Sequence, residues 1–204
     1  DILIKNMLSL KNSLKVLKKT NALLEGHFIL SSGLHSAHYV QCAKLLSYPK
    51  LSEKFVKSLA SKIKKRIKKI DIILSPAMGG IIVGYEIGKL LGKETIFCER
   101  VNKKFTLRRG FSIKKNSRVL IVEDVITTGK SSLECFKLIK KYKAKLVGFA
   151  CLIDRSDKTK INHKIISQVK LKIPTYRKKD LPSFIKNKAV TKPGSRFLKW
   201  LNLA

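Results

Sequence analysis

RVLIVEDVITTGKSS, spanning Arg118 to Ser132, passes through three kinds of sequence in quick succession. Val119-Leu120-Ile121-Val122 is a short apolar run rich in β-branched residues, which marks a buried strand. Two acids, Glu123 and Asp124, close it. Val125 and Ile126 lead into Thr127, Thr128, Gly129, Lys130, Ser131 and Ser132. Leu133, Phe136 and Ile139 then recur three apart, as on one face of a helix. A strand feeding such a turn and a helix start is an anion cradle. The first N–H groups of the helix have no intrahelical partner, and its dipole favours a phosphate there. Gly129 lets backbone approach the ligand closely. The acids cannot hold a phosphate directly; they suit ribose hydroxyls or a magnesium-bound ligand. A plain turn whose Thr and Ser cap the helix would need neither acid. The spacing is not a Walker A loop, which requires glycine where Asp124 stands, and it lacks the glycine spacing of a dinucleotide fingerprint.

Outward from this stretch the pattern alternates. Residues 3–19 read as a helix, with Ile4, Met7, Leu8, Leu14 and Leu17 at helical spacing. Leu24–Leu30 and His38–Cys42 read as strands of a hairpin around the small-residue loop Ser31–Ser36. Leu51–Ile70 is an amphipathic helix with lysines opposite Leu51, Phe55, Leu59, Ile63 and Ile67. Strands at Asp71–Leu74 and Thr95–Cys98 flank a helix at Ile81–Leu91. Asn102–Lys115 is a basic segment without a period. The helix Ser131–Tyr142 leads to strands at Lys145–Ile153 and Ile165–Ile173, and Pro174, Pro182 and Pro193 punctuate a loop-rich tail. Strands alternating with helices give a parallel sheet with right-handed crossovers, and ligands bind at the strands' carboxyl ends. The expected fold is α/β: a single domain over 1–204 with a helix-flanked parallel sheet over about 51–157. The hairpin (about 20–45) and the tail (160–204) are expected to form a small hood over that end.

Composition narrows the class. An apolar fraction of 44% supports a packed core, and no run of 18 apolar residues is present to span a membrane. The apolar N-terminus is interrupted by Lys5, Asn6, Lys11 and Asn12, unlike a signal peptide. Cys42, Cys98, Cys135 and Cys151 lack CxxC spacing and read as reduced core thiols of a cytoplasmic protein, all but Cys135 in strands. The net charge of +32 raises nucleic-acid binding. Its lysines are spread along the chain without interleaved aromatics, which argues for solvated helix faces and against a nucleic-acid partner. A basic field also attracts a polyanionic substrate.

Three further segments end at the same sheet edge. Ser75-Pro76-Ala77-Met78-Gly79-Gly80 joins a strand to a helix, and its glycines expose backbone N–H groups as a second anion nest. Glu99 to Gly110 (ERVNKKFTLRRG) is a basic loop. Beside two phosphate cradles it reads as a lid that neutralises pyrophosphate. Asp154-Arg155 ends the Lys145 strand, where a guanidinium fork can meet a carboxylate.

These residues resemble the type I phosphoribosyltransferases, whose phosphoribosyl pyrophosphate (PRPP) motif matches VLIVEDVITTGKS. Within them the chain is similar to the orotate phosphoribosyltransferase family over most of its length. GHFILSSGLHSAHYV, SPAMGG, IFCERVNKKFTLRRGF, LIDRS and KPGSR occur in that family's order. The resemblance implies transfer of phosphoribose from PRPP to N1 of orotate, with Mg2+, in pyrimidine (UMP) biosynthesis. It implies that Glu123 and Asp124 hold the ribose hydroxyls and organise a magnesium carried by PRPP, with no direct metal ligand assigned. Thr127 to Ser131 (Thr127, Thr128, Gly129, Lys130 and Ser131) would bind the 5-phosphate, with Val125 and Ile126 also among the PRPP-binding residues, and Ala77, Met78, Gly79 and Gly80 would face pyrophosphate. Arg100, Lys103 and Lys104 would be lid cations acting in the partner subunit of a homodimer. Arg155 would hold the orotate carboxylate, with Thr127, Ser31, Tyr39 and Val40 around the ring. The chain departs from some members: Ser31 and Gly79 stand where they carry lysine, and no histidine lies between Arg100 and Gly110. Arg108 or Arg109 is therefore a further candidate for the catalytic charge and for PRPP binding.

Two other readings share the central motif. A purine or uracil phosphoribosyltransferase would not need Arg155 or the SSGLHS loop. A PRPP-sensing regulator that binds nucleic acid would need a DNA-binding segment, and no helix-turn-helix pattern is present.

Overall fold

The computed structural model describes residues 7–30, 32–156 and 159–193. Its centre is a six-stranded sheet in the order β5-β4-β3-β6-β7-β8. The strands are β3 (Ile72–Pro76), β4 (Glu94–Val101), β5 (Lys104–Leu107), β6 (Arg118–Ile126), β7 (Lys145–Asp154) and β8 (Ile165–Lys170). β4, β3, β6, β7 and β8 run parallel; only β5 is antiparallel, to β4. A three-stranded sheet stands apart, with β1 (Leu23–Ile29) between β2 (His35–Val40) and β9 (Val190–Thr191). The α/β class and mostly parallel sheet agree with the sequence.

Helices cover both faces of the large sheet. On one lie α1 (Leu10–Lys19), α2 (Cys42–Leu46), α3 (Pro49–Arg66) and α4 (Gly79–Leu91); on the other lies α5 (Lys130–Lys141). The strand alternation sorts the core accordingly. Leu120 and Val122 of β6 pack with Phe55, Leu59, Val83 and Ile87. Val119 and Ile121 pack with Cys135, Leu138 and Ile139 of α5. Because β6 is covered on both sides, its side chains from Val119 to Val122 are fully buried. Two glycines of α4 set its closeness to the sheet. A Cβ on Gly84 would stand 2.0 Å from Ser75 Oγ, and one on Gly88 1.9 Å from Thr95 Oγ1.

Several boundaries differ from the sequence reading. Among the described residues the helix expected over 3–19 begins at Leu10: Ser9 caps it, its hydroxyl accepting the Asn12 N–H at 3.2 Å. The Leu8 N–H is meanwhile drawn to Ser58 Oγ at 2.9 Å; residues 3–6 lie outside the described residues. β2 starts at His35, three residues earlier than expected, because His35 and Ser36 pair with Ile29 and Phe28 of β1; His35 also exchanges backbone hydrogen bonds with Tyr176. Cys42 begins a helix instead of ending a strand. The helix expected to reach Ile70 stops at Arg66, where Ile67 turns extended. The period-free basic segment contains β5, joined to β4 by a two-residue turn with Asn102 (φ 49) and Lys103 (φ 65). The tail joins the hairpin through β9, which runs parallel to β1, and contains the one-turn helix α6 (Ser183–Lys186). At the sheet's opposite end Arg118 grips Asp71 through backbone and guanidinium, which holds that carboxyl well below its usual range.

Candidate active site

β6 runs four residues further than its apolar core, through Glu123 and Asp124 to Ile126. Successive side chains of a strand face opposite sides, so the acid pair is split. Glu123 faces α5 and is 7% exposed, with the Ser132 hydroxyl donating to its carboxylate. Burial pushes its pKa up to about 7, and the Asp124 charge adds to the shift against the Ser132 hydrogen bond. Asp124 faces α4. Its Oδ1 accepts the Val125 N–H at 2.8 Å, and the Cys42 thiol lies 3.8 Å from its carbonyl oxygen. A Cβ on Gly79 would stand 2.6 Å from Asp124 Oδ2, so the carboxylate lies flat against the start of α4. Burial raises its pKa as well, opposed by backbone N–H groups.

Beyond Ile126 the chain turns at Thr127, Thr128 and Gly129 and enters α5 at Lys130. Thr127, Thr128 and Lys130 are exposed; Gly129 is buried in a left-handed conformation (φ 74). A Cβ there would also meet Thr159 Oγ1 and Ile161 Cδ1 at 2.7 Å, so this position needs glycine twice over. Thr159 Oγ1 donates to the Thr128 carbonyl at 3.3 Å, bracing the turn from behind. The Thr128 hydroxyl accepts the Lys130 N–H only at 3.5 Å, a weak contact that leaves the helix start open. This is the arrangement of donors a phosphate requires.

The second nest lies one strand away. β3 ends at Pro76, the Ala77–Met78 peptide is cis, and Gly79 and Gly80 open α4. Gly80 is buried against the Val122 carbonyl, 3.0 Å from where its Cβ would be. Ala77 is half-buried, while Met78 and Gly79 are exposed. On the other side β7 ends at Asp154. The Arg155 N–H donates to the Ile126 carbonyl at 2.8 Å, which places Arg155 beside the end of β6. Asp154 does not stand idle: it accepts from the Ser156 N–H at 2.8 Å and lies 3.7 Å from Lys170 Nζ. Tyr39 bridges the two regions. Burial raises its pKa, while Arg155 pulls it down and Asp124 pushes it up, so both charges reach the phenol. Its ring lies 5.8 Å from that of Phe28, tilted by 38°. Val40, expected beside the ring, is 7% exposed and belongs to the core. Ser31 and the GSR of KPGSR lie outside the described residues.

The basic loop is a hairpin with two of its arginines engaged. Arg100 Nη2 lies 2.7 Å from Glu134 Oε2 on α5, its Nη1 donates to the Lys103 carbonyl at 3.0 Å, and it covers the Phe105 ring at 4.2 Å. Arg109 makes a fork to Glu99, at 3.0 and 3.1 Å, across the hairpin. Lys103, Lys104 and Arg108 are exposed. Ser132, Glu134, Glu99 and Thr159 thus belong to the site's support, and the sequence reading passed over them. For Ser132 a signal existed: strand alternation sends Glu123 toward α5.

Among the described residues no three of His, Cys, Asp and Glu gather as a metal cage. A divalent cation would thus take most of its oxygens from a phosphorylated ligand, as magnesium commonly does, with Asp124 as the protein carboxylate on the open side.

The profile of the phosphoribosyl transferase domain matches residues 47–178. The orotate phosphoribosyltransferase of Erythrobacter litoralis (strain HTCC2594) is 42% identical over 181 residues, covering 88% of this chain and 94% of that protein. Among solved structures, orotate phosphoribosyltransferase from Aeropyrum pernix superposes with a TM-score of 0.69 at 24% identity, over 78% of this chain and 93% of that one. Leishmania donovani UMP synthase gives 0.67 at 22% identity, over 78% of this chain and 36% of that one. These two likenesses speak to the fold; the closer sequence relative speaks to the family.

Proposed function

The chain belongs to the orotate phosphoribosyltransferases of the phosphoribosyl transferase domain family, and from that premise we propose that it makes orotidine 5'-phosphate and pyrophosphate from PRPP and orotate, in pyrimidine biosynthesis. The observation that carries this reading is the meeting of three groups at one sheet edge: the open turn at Thr127–Gly129, Asp124 beside Gly79, and Arg155 beside Ile126. A phosphate, a ribose and a carboxylate each find the group their chemistry needs.

The bond from ribose C1 to pyrophosphate oxygen breaks, and pyrophosphate leaves with the electron pair. Orotate N1, presented as an anion, supplies the pair for the new C1–N bond, so no strong base is demanded of the protein. The protein's task is to stabilise charge and exclude water. Asp124 faces the ribose and its developing positive charge. The Thr127–Ser131 turn holds the 5-phosphate, and the exposed backbone of Met78 and Gly79 receives pyrophosphate. Arg100, Lys103 and Lys104, with Arg108 as a reserve, neutralise the leaving group when the hairpin closes. Arg155 forks onto the orotate carboxylate while Tyr39 borders the ring. Magnesium, when bound, would screen the pyrophosphate charge. Glu123 supports the site from the α5 side.

A homodimer is supported by the bare apolar face of α4, where Met78, Ile82 and Tyr85 are 83%, 54% and 63% exposed. No helix among the described residues is long and apolar enough to cross a membrane. Four buried free cysteines support residence in the reducing cytoplasm.

The test is the fall in orotate absorbance when protein, PRPP and magnesium are mixed, run beside uracil, adenine and hypoxanthine. Turnover of orotate alone is expected. Turnover of another base would move the chain to a sister activity, and PRPP binding without turnover of any base would favour the regulator.

A further inference from the structure

Glu134 stands outside every ligand-facing group described above, yet it meets the foremost lid cation. It lies in the second turn of α5, the helix that starts at the phosphate turn. Its Oε2 is a buried oxygen, and Arg100 Nη2 approaches to 2.7 Å without the alignment of a hydrogen bond. The pair is partly exposed, with side chains 41% and 25% accessible. The same guanidinium holds the Lys103 carbonyl and lies on Phe105, so one contact fastens both the turn of the hairpin and its β5 leg to α5. A guanidinium that neutralises a departing pyrophosphate cannot stay on this carboxylate. In a dimer whose lid serves the neighbouring site, it must leave its own subunit's α5 altogether.

We propose that Glu134 is a positioning residue, a latch that holds Arg100 on its own subunit's α5 until the pyrophosphate group of PRPP competes it away. The contact is well made for release. A charge attraction without an aligned hydrogen bond is weaker than a forked pair such as Arg109–Glu99. Pyrophosphate offers several oxygens and more negative charge than one carboxylate. Because the latched state must be given up on binding, Glu134 sets part of the apparent affinity for PRPP. The inference rests on Arg100 acting as a lid cation.

The experiment measures steady-state kinetics of Glu134→Gln, Glu134→Asp, Arg100→Ala and the double variant Arg100→Ala with Glu134→Gln. Glu134→Gln keeps the shape and removes the charge. It should lower the KM for PRPP about two- to fivefold, the range of a partly exposed ion pair, with kcat not reduced and the orotate KM unmoved. Glu134→Asp keeps the charge at shorter reach and should return the PRPP KM toward wild type. In the Arg100→Ala background Glu134→Gln should be silent. An unchanged or higher PRPP KM in Glu134→Gln, or an equal effect without Arg100, overturns the latch. If Arg100→Ala itself leaves the PRPP KM unmoved, the lid reading fails; if it raises that KM and Glu134→Gln does nothing, only the latch fails.

Discussion

Asp124 and Glu123 are neighbours of like chemistry in different settings, because the pleat sends one toward the start of α4 and seals the other against α5. Asp124→Asn removes the charge proposed to face the ribose and keeps the volume, so transfer should nearly vanish while the thermal melt stays in place. Activity within about threefold of wild type, a small change in barrier, would contradict that role. Arg155 makes the complementary case for the base. Orotate differs from uracil by a carboxylate, and a planar fork binds it as an ammonium cannot. Arg155→Leu should weaken orotate binding about tenfold to a hundredfold, the loss of a charge-assisted bond, with PRPP binding nearly unchanged. Calorimetric titration of each ligand separates the outcomes: equal weakening of both assigns Arg155 to the framework, and unchanged orotate binding removes it from the site.

The unit formed by β6, its turn and α5 joins stability to the site. Glu123 is sealed between strand and helix, and its pKa rises from 4.5 to about 7. Between those values the folded protein binds more protons than the unfolded chain, so stability falls as pH rises through the window and levels off above about 7. Between pH 5.5 and 8 the loss should be about 2 kcal/mol, and Glu123→Gln should lack that slope. Urea midpoints of both proteins without substrate check this; parallel profiles would refute it. The same unit was the most legible part of the sequence, because Val119–Val122 is an unbroken apolar run, Leu133–Ile139 has a helical period and the turn has a demanding glycine. The lid was less legible. Its turn uses Asn102 and Lys103 at positive φ with no glycine to announce a hairpin, and KFTL is short. Asn102 between extended residues was the available hint. The pairing of Arg100 with Glu134 joins residues far apart in the chain, and nothing local encodes it. The divided acid pair could have been foreseen had the strand been carried four residues further, to Ile126.

At the scale of the whole molecule, the proposed sharing of lids between subunits has a clear signature. Asp124→Asn protein and protein with Ala at positions 100, 103 and 104 should each be inactive. After subunit exchange in equal amounts, half the dimers are hybrids with one intact site, so roughly a quarter of wild-type activity should return. No recovery after demonstrated exchange would place the lid over its own subunit's site. The net charge of +32 also bears on the assembled protein, because it raises the encounter rate with polyanionic PRPP and makes that rate fall with salt. The four cysteines are distributed through this same body: Cys42 behind Asp124, Cys98 and Cys135 side by side at 3.5 Å between β4 and α5, and Cys151 in β7. All are buried, and burial raises the pKa of Cys42 and Cys151, while for Cys135 the contact with Cys98 comes first and burial second. Alkylating reagents attack thiolates in contact with water, so the folded protein presents them with almost nothing. The chain therefore carries its own clock of opening, in which the order of labelling at positions 42, 98, 135 and 151 reports which side of the sheet parts first.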